Sequence, residues 1–125
     1  MKIYNYGKDM GQEIKAFDSK NLIMTGMIAA TDKIRMGCLH LDAGGIVGYH
    51  QATVSQLFVV VAGEGVVKGK EDKEYLIKAG YAAFWEAGEW HETRTEAGLT
   101  AIVIEGVALN IKMKEEEWQA YCSAN

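Results

Sequence analysis

Short apolar stretches divided by glycine and charge run through most of the chain, and their rhythm is that of strands. Arg35 to Asp42, RMGCLHLD, alternates and stops at Ala43–Gly45, where glycine makes a turn cheap. Ser55 to Gly65, SQLFVVVAGEG, is an apolar run that ends in two glycines around Glu64. Val66 to Gly69 leads into KEDKE, Lys70 to Glu74, a solvated hairpin tip. EYLIKAG, YAAFWEAGEWHETRT and LTAIVIEG follow at intervals of about ten residues, each punctuated by glycine, as in all-β sandwiches and barrels. Asn21 to Thr31, NLIMTGMIAAT, carries a weaker strand signal. Helical spacing shows only within 112–125, where Met113, Trp118 and Tyr121 share one face, so a short C-terminal helix laying Trp118 on the sheet is expected.

Composition narrows this picture without changing it. A chain of 125 residues, 49% hydrophobic and 24% charged, is expected to form one globular domain over 1–125. The net charge of -4 and the scattered Lys and Arg argue against nucleic acid as a partner. No apolar run approaches the roughly 20 residues of a membrane helix, and the N-terminus shows no secretory signal. Two distant cysteines, Cys38 and Cys122, make a disulfide framework unexpected and a cytoplasmic location the natural one. Cys38 reads as a small buried hydrophobe and Cys122 as a terminal bystander.

The candidate chemistry lies in two glycine-framed stretches. The first runs Gly44, five residues, His50, one residue, Ala52, three residues, Gln56, six residues, Gly63. The second runs Gly80, five residues, Glu86, Ala87, Gly88, two residues, His91, three residues, Thr95. On a regular strand, His50, Ala52, Val54, Gln56 and Phe58 would share one side, and a neighbouring strand would bring His91 towards His50. The same alternation turns Leu39 and Leu41 inward and His40 outward, unless a bulge brings His40 to the site. Tyr49 reads as a surface or interface residue.

This framing resembles the cupin family, whose motifs run G-x5-H-x-H-x3-4-E-x6-G and G-x5-P-x-G-x2-H-x3-N. The likeness covers the motif core, 44–95, and implies a jelly-roll barrel, a double-stranded β-helix whose motif residues meet in one cavity. In metal-binding cupins the three motif-one ligands and the motif-two His hold a divalent ion. Here those positions read His50, Ala52, Gln56 and His91: one imidazole is missing and the carboxylate has become an amide. Glu86 and Thr95 replace the usual Pro and Asn.

The resemblance leaves two readings open. In one, His50, Gln56 and His91 hold Zn, Fe, Ni or Mn in a dioxygenase- or isomerase-like enzyme acting on a small organic substrate. Three neutral ligands leave such an ion uncompensated, although the space at Ala52 opens coordination positions. In the other, the cavity binds a small molecule as a sensor or carrier, with no metal or a weakly held one. In either case Ala52, Phe58, Phe84 and Trp85 are expected to line the pocket, with Trp90 near its mouth. Epimerase-like proton abstraction ranks below both, because no acid is placed on the inner face beside His50 or His91. Small cupins also resemble dimers, with Asn21–Ala30 as the candidate interface of a homodimer.

Overall fold

The computed structural model describes residues 1–122, and these form thirteen strands with two short 3-10 turns. The strands are β1 (Lys2–Asn5), β2 (Gln12–Glu13), β3 (Ile23–Met24), β4 (Ile28–Ala30), β5 (Ile34–Leu41), β6 (Ile46–Gln51) and β7 (Ser55–Lys68). They continue as β8 (Glu74–Lys78), β9 (Tyr81–Trp85), β10 (Trp90–Arg94), β11 (Leu99–Gly106), β12 (Leu109–Ile111) and β13 (Lys114–Glu116). Every pairing is antiparallel.

The long strand β7 organises the barrel. Its first half pairs with β9 and β11, which continues one wall through β1 and β13 on one side and β5 on the other. Its second half pairs with β8 and β10, and β10 carries β6. The crossing between walls follows a register shift opposite Thr100 and Ala101. Gly63 sits just beyond it at φ 76°, and a Cβ there would lie 2.2 Å from the Gly98 carbonyl oxygen. Only glycine fits both the left-handed backbone and that approach. Thr95, buried beside this crossing, donates its hydroxyl to the Glu64 carbonyl at 2.7 Å and accepts from the Gly98 N–H at 3.0 Å.

Alternation sorts the side chains onto two faces. Ile3, Phe58, Val60, Val67, Ile77, Ala83, Trp85, Leu99 and Ala101 fill the interior, with Leu39 and Leu41 packed against them. On the other side of the first wall, Tyr4, Leu57, Val59, Ala82, Ile104 and Met113 form a second cluster, covered by Met27, Ile28, Leu109 and Ile111. Part of the weak N-terminal strand signal is thus spent inside the chain, since β4 pairs with β12 over this cluster. His40 is exposed, as alternation requires.

Three expectations are corrected. No helix forms over Lys112–Cys122; residues 123–125 of the expected helix lie outside the described residues. Instead β13 pairs with β1, and the Asn5 side-chain amide donates to Glu116 at 3.0 Å. Isolated helices under about 12–15 residues are marginal in water, whereas β1 offers an edge and the second cluster a seat for Met113. Trp118 still packs on the barrel, edge-on to Tyr75 at 5.5 Å between ring centroids. Cys38 is exposed rather than buried, because it faces outward on β5. His50 to Gln56 is not one strand: β6 ends at Gln51 and β7 begins at Ser55, with a corner between.

Candidate functional site

Antiparallel pairing of β6 with β10 sets His50 directly opposite His91, and their ring centroids lie 4.4 Å apart. Each ring is oriented by its own backbone. His50 Nδ1–H donates to the Gly48 carbonyl at 2.7 Å and His91 Nδ1–H to the Glu89 carbonyl at 3.3 Å. That bonding assigns the tautomers, and among the described residues neither Nε2 lone pair has a hydrogen-bond partner. His91 is 3% exposed and stacks on Trp85 at 4.4 Å between centroids, 24° from parallel. Burial holds its pKa below the ordinary value. The Glu89 carbonyl opposes that depression, His50 adds to it, and the Glu89 and Glu105 carboxylates oppose it.

The corner after β6 explains Ala52. Its N–H donates to the Glu89 carbonyl at 3.0 Å, and its carbonyl accepts from the Gly88 N–H at 2.7 Å. The turn carrying the second motif therefore docks on the corner of the first, with Gly88 at φ 86°. Ala52 is buried in this clamp, not spaced along a strand as the second inward ligand position. Glu89 does not join the imidazoles through its carboxylate, which accepts from the Met1 amino group at 2.7 Å and the Glu86 N–H at 3.1 Å.

Across the interior, one register row spans four strands: Trp85 opposite Gln56, Gln56 opposite Glu105, and Glu105 opposite Arg35. Directly opposed residues share a face, and their same-parity neighbours Ala83, Phe58, Val60, Ala101, Leu39 and Leu41 all belong to the interior. The Gln56 amide N–H donates to Glu105 at 3.2 Å, which leaves its oxygen unengaged. Trp85 is fully buried, and among the described residues its indole N–H has no hydrogen-bond partner. Phe58 meets Trp85 edge-on at 5.9 Å and floors the interior. Beside the row, Gly37 lies opposite Val103, and a Cβ built there meets nothing within 4 Å. β5 and β6 each end a wall, with a free strand edge among the described residues.

Of the residues expected at the site, His50, His91, Gln56, Trp85 and Phe58 face the interior. Phe84 does not: it pairs with Leu57 and packs against the second cluster, one parity step from Trp85, so its place in the pocket is withdrawn. Trp90 lies on the outer face, stacked on Tyr49 at 5.4 Å. Glu105 and Arg35 were missed. Parity was the available signal: Leu99, Ala101, Val103 and Glu105 share a face in LTAIVIEG, as do Arg35, Gly37, Leu39 and Leu41 in IRMGCLHL.

This donor set does not fit the four-ligand metal site that the cupin motifs imply. Ala52 has no donor atom, Gln56 is neutral, and its amide already bonds Glu105. Among the described residues, no group of three or more His, Cys, Asp and Glu side chains gathers to hold an ion. The larger clefts lie elsewhere. One of about 410 Å³ is bordered by Met1, Gly69, Lys70, Glu89 and Trp118, and one of about 420 Å³ by Glu64, Arg94, Thr95 and Tyr121. Neither is lined by His50 or His91.

Residues 37–107, more than half of the chain, match the family model described as a cupin domain. No curated protein matches the sequence. Solved structures do. A predicted oxalate decarboxylase from Thermotoga maritima is 24% identical over 61% of this chain and 64% of its own, under two thirds of its length, with a TM-score of 0.52. A cupin superfamily protein from Desulfitobacterium hafniense DCB-2 is 15% identical over 70% of this chain and 79% of its own, with a TM-score of 0.55. An RmlC-like cupin from Shewanella frigidimarina NCIMB 400 is 23% identical over 60% of this chain and 67% of its own, with a TM-score of 0.56. At these identities the likeness is one of fold.

Proposed function

This chain belongs to the cupin family, and from that premise we propose that it binds a small organic molecule in its barrel mouth without needing a metal. The observation that carries the reading is the facing pair His50 and His91, with both Nε2 lone pairs unengaged beside the Gln56–Glu105 pair. The interior thus presents several hydrogen-bond acceptors above an apolar floor of Phe58 and Val103. A ligand carrying N–H or O–H groups would satisfy those acceptors in a partly desolvated site, where such bonds select strongly for the matching partner. Either a sensor or a carrier role follows from binding alone.

Thermal-shift and calorimetric screening against polyols, sugars, amines, carboxylic acids and amino acids tests the proposal. A ligand at 100 times its Kd should stabilise the fold by about 2.7 kcal/mol. His50→Ala, at an exposed position, should weaken binding by about tenfold or more without lowering Tm. A panel in which nothing binds sinks the proposal.

One observation favours a second reading, a metal-dependent enzyme holding Zn, Fe, Ni or Mn on His50, Gln56 and His91. Nδ1–H bonded to a backbone carbonyl with Nε2 free is the orientation metal-bound imidazoles adopt. Elemental analysis of tag-free protein separates the two readings. Metal near one equivalent supports the enzyme; less than about a tenth of an equivalent, with no uptake on titration, supports the metal-free site.

A further inference from the structure

Resting on the reading of the barrel mouth as a ligand site, we propose that its ligand is a small amino-acid-like zwitterion, with the ammonium group on Glu105 and the carboxylate on Arg35. The two charges occupy adjacent places in the inward row, where directly opposed side chains start about 4.5–5.5 Å apart at Cβ. That is close enough for an ion pair, yet among the described residues neither Glu105 nor Arg35 takes part in one. Among the described residues, the one hydrogen bond to the Glu105 side chain comes from a neutral amide at 3.2 Å, and no cation pairs with it.

Each half of a zwitterion finds its complement here. An ammonium group brings three donors and no acceptor, which suits Glu105, the Gln56 oxygen and the imidazole Nε2 atoms. A carboxylate suits the planar fork of Arg35, which can take it in two parallel bonds. Arg35 lies on the free edge strand β5 and is exposed, so it stands at the entrance while Glu105 lies deeper. The space beside Gly37, between the two charges and the apolar floor, has room for a side chain. A singly charged ligand would leave one of these ions unmatched, and a neutral polyol would leave both.

Calorimetry on the full chain tests this with the standard amino acids, then with the best binder beside its decarboxylated amine and its deaminated acid. An amino acid is expected to bind at least about tenfold more tightly than either half. Glu105→Gln should weaken the amino acid and the amine but not the acid; Arg35→Gln should weaken the amino acid and the acid but not the amine. Gly37→Val fills the open space with a strand-compatible side chain, and should block binding while Tm holds or rises. The zwitterion assignment is overturned if a neutral polyol, the amine alone or the acid alone binds as tightly as any amino acid. It is equally overturned if Glu105→Gln leaves amino-acid affinity unchanged. Either result leaves the ligand-binding reading intact, whereas a panel with no binder removes both.

Discussion

At Gly63 two requirements meet in one residue. The left-handed φ of 76° would strain any other residue, and a Cβ 2.2 Å from the Gly98 oxygen would force the two strands apart. Gly63→Ala should therefore cost at least about 2 kcal/mol, read as a fall in Tm of roughly 8 °C for a domain of this size. An unchanged Tm would show that the crossing of β7 tolerates a side chain. His91 makes a second prediction at this scale, from its burial against Trp85. Its folded pKa lies below the unfolded value of 6.5, so the unfolded chain takes up the proton first as pH falls. The contribution to stability is complete above about pH 6.5 and is lost as pH drops through that value towards the folded pKa. Urea unfolding at about pH 7.5 and about pH 5.5 should show this loss, and His91→Gln should remove that part of the slope. Glu74 acts in a lower window: Arg94 holds its carboxyl below 4.5, and its contribution goes only under more acidic conditions.

Among the elements, the C-terminal segment shows how local pattern and tertiary demand compete. Met113, Trp118 and Tyr121 have helical spacing, but the edge of β1 and the second cluster are satisfied by a strand. Met113, 7% exposed in that cluster, is the anchor. Met113→Ala should destabilise by about 2–4 kcal/mol, and chemical shifts of Lys114–Glu116 should be extended rather than helical. Helical shifts there would restore the expectation from periodicity. β5, β9, β11 and the first half of β7 keep their alternation, which gives Gln56, Trp85, Glu105 and Arg35 the inward parity, and the pairing register then sets them in one row. The break between β6 and β7 is the exception, and it moves Ala52 from a strand into a clamp.

For the molecule as a whole, the outward side of β5 leaves Ile34 at 44% and Met36 at 65% exposure, with Cys38 exposed beside them on the same face. We propose that this outer face of β5, with the exposed part of the N-terminal segment at Leu22 and Met24, lies in a homodimer interface and leaves the β5 edge free. Sedimentation should give twice the 13.8 kDa chain mass, and a species at 13.8 kDa would refute it. The residues also show how far linear information reaches. Glycine spacing and residue alternation determined the strands of the barrel and the outward turn of His40, because strand geometry has a period that sequence carries directly. The contact between the imidazoles, the clamp on Ala52, the strand at β13 and the row joining Arg35 to Glu105 were decided only by the tertiary structure. Each depends on which strands lie side by side and in what register, and pairing between residues far apart in the chain leaves no period to read.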